Sequence, residues 1–348
     1  MKVDAILLAS FGGPEGQDEV IPFLRRVTNG RGVPDERLEE VAHHYRANGG
    51  VSPINAQNRA LKAALEAELD RRGIELPVYW GNRNSPPSMA DAVAQAHAAG
   101  DDHLLALVTS AYTSYSGVGQ YLEDFQQALD ETGLAGEVSI AKLREYFDHP
   151  GFVAPFVEGV RDALARIEAE RPGARTHVLF ATHSIPMVAA RASGPSLGPG
   201  GAYVAQHLAV AQAVLTQAVP DGTPWSLVYQ SRSGSPSVPW LEPDINAAID
   251  ELAADGVEAL VIVPIGFVSD HMEVMWDLDT EAAETAAAHG MLAIRVPTPG
   301  THPAFVAGLV DLVVERLDDV PDDQRPHVTE LGPWPDLPAL GAVAGSVR

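Results

Sequence analysis

His177-Val178-Leu179-Phe180-Ala181 runs into Thr182-His183-Ser184-Ile185-Pro186, and this stretch decides the fold. Five β-prone apolar residues end at hydrogen-bonding side chains and a proline, the form of a strand with a polar carboxyl end. Seven further runs of this form occupy residues 5–9, 78–80, 104–109 and 138–141, then 226–229, 259–265 and 292–296. Ala-rich amphipathic segments separate them. Residues 56–72 close at Gly73, and residues 89–99 have Ser88 as N-cap and Gly100 just past the end. Strands alternating with helices predict βα units on parallel sheets, an α/β fold. Four strands in each half predict two similar doubly wound domains with a seam near His149-Pro150-Gly151. The expected division is an N-terminal domain over 1–148, a second domain over 149–301, and a C-terminal helix with a Pro- and Gly-rich tail over 302–348. Residues 192–201 read as an irregular connection.

The length of 348 residues suits about two domains, and 46% hydrophobic residues suffice for a sizeable core. Lys and Arg number 23 against 47 Asp and Glu, a net charge of −24. That balance excludes general binding to nucleic-acid phosphates and docking on anionic lipid through basic patches. The absence of cysteine excludes disulfides, thiolate catalysis and Cys-ligated zinc or iron–sulfur clusters. A metal must be held by His, Asp, Glu, Tyr or Met. The longest apolar stretch, 259–268, is too short to span a bilayer and contains a proline. The amino terminus lacks the apolar run of a signal peptide, so a cytoplasmic protein without stable membrane insertion is expected.

Ligands of open α/β sheets bind beyond the carboxyl ends of the strands. Here those ends carry Gly, aromatic and hydrogen-bonding residues, among them Phe11, Tyr112, Tyr115 and His183. His183 can be a plain strand-end histidine bonded to a turn, or a metal ligand or base. After residues 259–265 come Asp270-His271-Met272-Glu273-Val274-Met275-Trp276-Asp277-Leu278-Asp279-Thr280-Glu281. A helix starting near Asp270 puts Glu273, Asp277 and Glu281 in one line. The row is either a solvated acidic face or a track for a hydrated divalent cation ending at Glu273 and His271. A widened, π-type turn would align it better. Trp240, set among prolines, is a loop anchor or a flat platform for a planar ligand. Gly12-Gly13-Pro14 lacks the spacing of a nucleotide-binding loop.

Eight blocks, in order, carry a family resemblance: LLASFGGPE (7–15), PFLRRVTNGRGVP (22–34), HYRANGGVSPIN (44–55), VYWGNRN (78–84), TSAYTSYSGVGQY (109–121), ATHSIP (181–186), YQSRSGSPSVPWLEPD (229–244) and PIGFVSDHMEVMWDLDTE (264–281). Through them the chain resembles ferrochelatases, which insert ferrous iron into a porphyrin. The resemblance implies a chelatase fold, two Rossmann-like domains around a porphyrin cleft. It implies His183 and Glu273 as the catalytic and metal-site pair, on opposite faces of the macrocycle, with Asp277 and Glu281 continuing the metal-binding acidic ridge to solvent. It further implies porphyrin contacts at Phe11, Arg31, Tyr45, Ser52, Tyr115, Tyr121 and Trp240, with His271 ordering the pocket's hydrogen bonds. Iron is then a substrate, and no cofactor is expected. Phe11 stands where some family members carry an iron-ligating tyrosine, which leaves His183 as the expected axial ligand of the product. Members that bind a [2Fe–2S] cluster use cysteines, which this chain lacks.

The composition and the SAYTSYS block resemble the soluble, monomeric members that act on coproporphyrin III rather than protoporphyrin IX. Four substrate carboxylates then call for a basic rim, for which Arg25, Arg26, Arg31 and Arg46 are available. More distant alternatives are another tetrapyrrole chelatase and a non-enzymatic haem or metal carrier.

Overall fold

The computed structural model describes residues 2–28, 33–219, 222–234 and 237–336. Eight strands form two separate sheets, every pairing within them parallel. β1 (Ala5–Ser10), β2 (Val78–Asn82), β3 (His103–Val108) and β4 (Ser139–Lys142) assemble in the order β2-β1-β3-β4. β5 (Thr176–His183), β6 (Trp225–Gln230), β7 (Ala259–Val263) and β8 (Leu292–Arg295) repeat it as β6-β5-β7-β8. Central strands such as β1 and β7 are buried along their whole length, which is why they read as unbroken apolar runs.

The helices of the first half are α1 (Val20–Val27), α2 (Asp35–Ala47), α3 (Ile54–Arg71), α4 (Met89–Ala99) and α5 (Gln120–Thr132). α6 (Pro150–Glu170) leads into the second half, followed by α7 (Met187–Ala192), α8 (Gly201–Ala218) and α9 (Ile245–Ala254). α10 (Met272–Val274) continues as a π-helix over Met275–Ala282 and then as α11 (Ala283–Ala288), and α12 (Pro303–Leu317) closes the set. α4 begins and ends where its sequence signals lie. Ser88 and Asp91 form a reciprocal capping box, and Gly100 takes the left-handed conformation. The expected irregular connection falls in the loop between α7 and α8.

Most strand ends differ from expectation by a residue or two, and at β5 and β7 the reason is the availability of backbone partners. β5 continues through His183 because the ladder with β6 extends to the pairs Thr182–Tyr229 and His183–Gln230. β7 stops at Val263 because Pro264 has no N–H to donate. The main core is continuous between the sheets. Ile6, Leu8 and Leu107 of the first and Val178, Phe180 and Val261 of the second pack with Phe152 and Phe156 of α6 in one cluster. Beyond α12 the described residues form one short 3₁₀ turn, Asp322–Gln324, in an otherwise irregular segment that is pinned to the body. Trp334 is buried, its backbone N–H donates to Asp148 at 2.6 Å and its indole to Glu145 at 3.0 Å. Among the described residues no helix is long and apolar enough to cross a membrane.

Each sheet has one point where the chain reverses the direction in which strands are added, between β1 and β3 and between β5 and β7. In open parallel sheets ligands bind at the carboxyl edge of this point. In the second sheet that edge carries His183 and the segment 264–273.

Candidate active site

His183 is the last residue of β5. Its Nδ1 lies 2.5 Å from the Ser184 carbonyl oxygen, which can only accept, so Nδ1 carries the hydrogen. In the neutral ring Nε2 is therefore left with a free lone pair. The strand end is held from behind. The Tyr203 hydroxyl of α8 donates to the His183 carbonyl at 2.9 Å and lies 3.0 Å from the Thr182 hydroxyl, itself 2.8 Å from His207 Nε2. Burial pushes the pKa of His207 down to about 3, so the supporting ring is neutral. It stacks on Tyr112, whose hydroxyl donates to the Ile265 carbonyl at 2.9 Å, and this ties the first half to the turn after β7.

Glu273 enters from α10. Its Oε2 stands 3.7 Å from His183 Nε2. That is too long for a hydrogen bond. It suits one bridging ion, since a first-row divalent metal sits about 2.1 Å from each nitrogen or oxygen ligand. The spacing also bears on the expectation that the two groups flank opposite faces of a macrocycle. A flat ring needs about 3.5 Å of contact distance on either side, roughly 7 Å between flanking atoms. As the two side chains stand, a ring does not fit between them.

Behind Glu273 the acid row is straightened by the π-helix. An α-helix turns about 100° per residue, so acids four apart drift around it; the wider turn at Met275–Ala282 offsets that drift. The Asp277 pKa is pushed up to about 7, chiefly by burial and further by the charges of Glu273 and Glu281, against hydrogen bonds from Ser231 and Gln230. Ser231 holds a left-handed backbone (φ 60°), a strained conformation for a non-glycine residue, and its hydroxyl donates to Asp277. At the outer end the Trp276 indole donates to Glu281 at 2.9 Å while its ring stacks on His44 of α2, 4.1 Å between centroids. Arg295 clamps the whole element. It pairs with Asp270 at 3.1 Å ahead of α10 and with Asp279 at 2.5 Å on the π-helix. His271, at the N-cap of α10, is half-buried, and burial lowers its pKa.

The aromatic residues divide. Phe11 is half-buried, 6.2 Å from Phe23 and 5.9 Å from the Arg83 guanidinium. Tyr115 is exposed and donates to Glu123 at 2.7 Å. Trp240 is half-buried with its indole packed against Gly234, where a Cβ would come within 2.2 Å of the ring. Tyr121, Tyr45 and Ser52 are interior. Tyr121 lies 3.9 Å under the Arg83 guanidinium, Tyr45 packs on Phe23 near the charge of Glu273, and Ser52 packs against Gly13. Of the expected basic rim, Arg25 pairs with Asp35, Arg46 pairs with Glu39, and Arg26 donates to the Asn84 carbonyl. Arg31 lies outside the described residues. A groove of about 860 Å³ between α8 and residues 328–331 shares no lining residue with this site.

The family model described as Ferrochelatase matches residues 3–317. The chain belongs to the ferrochelatase family. Its similarity to named ferrochelatases runs over almost its whole length. It is 62% identical to the coproporphyrin III ferrochelatase of Leifsonia xyli subsp. xyli, covering 96% of this chain and 89% of that one. It is 53% identical to the enzyme of that name from Tropheryma whipplei strain Twist, covering 99% and 89%. For that from Streptomyces griseus the figures are 52%, 97% and 92%. Among solved structures the sirohydrochlorin chelatase SirB of Bacillus subtilis subspecies spizizenii, in complex with cobalt, aligns with a TM-score of 0.51. That alignment covers 93% of this chain and 98% of SirB at 13% identity, a likeness of fold. This ferrochelatase thus has iron and a porphyrin as its substrates.

Gln230, Ser231, Arg295 and Tyr203 escape a reading of the sequence alone. The one available signal is that Gln230 and Ser231, like His183, follow directly from an apolar strand run.

Proposed function

We propose that this chain inserts ferrous iron into coproporphyrin III, forming the iron porphyrin and releasing the two inner N–H protons. The observation that carries the reading is the His183–Glu273 pair, 3.7 Å apart with the imidazole lone pair free. Held between them, iron loses part of its water shell while two protein donors compensate its charge. Both groups act on one face of the ring. His183 Nε2 ligates the metal, accepts a pyrrole proton once the metal has left it, passes that proton to the acid row, and with its lone pair free again is the axial ligand of the product that Phe11 cannot supply. A carboxyl group at Asp277 with a pKa near neutrality takes on and gives up protons readily, and Glu281 connects it to solvent. Phe11, Tyr115, Trp240 and Arg31 contact the porphyrin, with Ser52, Tyr45 and Tyr121 supporting that wall from the interior and His271 ordering its hydrogen bonds. The preference for four carboxylates is supported by the coproporphyrin III ferrochelatases at 52–62% identity. The enzyme works as a monomer in the cytoplasm without an iron–sulfur cluster, a reading supported by the cysteine-free sequence.

Anaerobic incubation with Fe²⁺ and either coproporphyrin III or protoporphyrin IX, followed by loss of free-base absorbance, tests this. Faster turnover of coproporphyrin III is expected. Preference for protoporphyrin IX would contradict the substrate assignment, and stoichiometric binding without turnover would contradict the activity.

A further inference from the structure

Trp276 and Glu281 stand five apart on the π-helix, and the indole N–H donates to Glu281 Oε1 at 2.9 Å. Five residues of a regular α-helix turn through about 500°, which leaves such a pair about 140° apart around the axis. The π-helix repeats from i to i+5, so its wider turn brings the two side chains together. The indole is itself held from the other half of the molecule. It stacks on His44 of α2, 4.1 Å between centroids at an interplanar angle of 9°. His43 stands at right angles to it, 6.2 Å away. Trp276 and His44 are half-buried, whereas Glu281 is exposed and meets solvent. An exposed glutamate samples several rotamers. Here one carboxylate oxygen is tied to a braced ring, and Oε2 remains for a second partner.

We propose that Trp276 is a positioning residue for iron capture. It fixes the Glu281 carboxylate at the outer end of the acid row, and His44 fixes Trp276. The inference rests on the reading of Glu273, Asp277 and Glu281 as the path of the ion. A hydrated divalent ion binds better to an acceptor that is already ordered, because no side-chain freedom is then lost on binding. The place where the ion first meets the protein is thus assembled from both halves of the chain.

Trp276→Phe keeps a ring on His44 and removes the N–H. His44→Phe keeps the stack, and His44→Ala removes it. Steady-state insertion at varied Fe²⁺ gives the readout. For Trp276→Phe the KM for Fe²⁺ is expected to rise about fivefold, the scale of one hydrogen bond, with kcat and the KM for porphyrin unchanged. His44→Ala should shift the iron KM in the same direction, while His44→Phe stays near wild type. In a Glu281→Ala background neither Trp276→Phe nor His44→Ala should add a further effect, because both act through that carboxylate. An unchanged iron KM in Trp276→Phe overturns the proposal, and so does an effect that persists undiminished in the Glu281→Ala background. Equal impairment in His44→Phe and His44→Ala also overturns it, since the imidazole would then act otherwise than as a brace. Should Trp276→Phe not fold, the His44 variants and their dependence on Glu281 decide the matter alone. Glu281→Ala by itself separates the two levels. An unchanged iron KM there refutes the row as the path of the ion, whereas a raised KM beside an unaffected Trp276→Phe refutes only the role of Trp276.

Discussion

His183 and Glu273 are 90 positions apart in the chain and 3.7 Å apart in space. Removing the imidazole in His183→Ala is expected to lower insertion at least a hundredfold, the scale of a lost general base, while porphyrin binding followed by fluorescence quenching persists. Asp277 supplies a pH test on the apoprotein. Its folded pKa of about 7 lies above the ordinary 3.8, so the native state holds a proton that the unfolded chain releases. Stability from this group is thus present at low pH and lost as pH rises from about 4 through 7. Asp277→Asn removes the dependence, and its melting temperature relative to wild type should climb between pH 5 and pH 8; a constant difference would contradict the assignment. The residues alone left His183 and Glu273 as candidates, and the family resemblance paired them. Their 3.7 Å spacing was not legible, since spacing along a chain contains no distance across a cleft. Gln230 was hidden because a lone amide has no sequence signature, and its importance lies in what surrounds it.

At the scale of elements the local signals performed unevenly. α4 ends where Ser88 and Gly100 place it, because capping is decided within a few residues. Ser88→Ala should cost about 1 kcal/mol in denaturant titration and leave insertion unchanged. The ends of β5 and β7 were misjudged because a ladder depends on what a neighbouring strand offers. The acid row behind Glu273 was legible from its four-residue spacing, which shares one face of a helix, and the widened turn was expected as the better alignment. Its clamp was not. Arg295 reaches Asp270 and Asp279 from β8, at distances along the chain that no periodicity reveals. Arg295→Ala leaves a partly buried Asp270 uncompensated and is expected to cost about 3 kcal/mol in chemical denaturation. It should also raise the KM for iron, because the acid row loses its anchor; loss of stability with an unchanged KM would limit Arg295 to a structural role.

The whole molecule repeats one four-stranded topology, a symmetry visible in the sequence as four apolar runs per half. The core between the sheets was not visible there, since a buried residue does not announce which layer it faces. That shared core, with the ties from α8, holds the end of β5 in place against the turn after β7. The segment beyond α12 belongs to this body through Trp334. Its replacement by alanine should lower stability by about 3 kcal/mol without changing the KM for iron. The central claim, that one ion is held by both residues on one side of the ring, is tested most directly by a crystal structure of the protein with Co²⁺ and coproporphyrin III. Anomalous density about 2.1 Å from both His183 Nε2 and Glu273 Oε2, with the macrocycle to one side of the pair, is the predicted result. A macrocycle lying between the two side chains, or cobalt bound away from them, would contradict it.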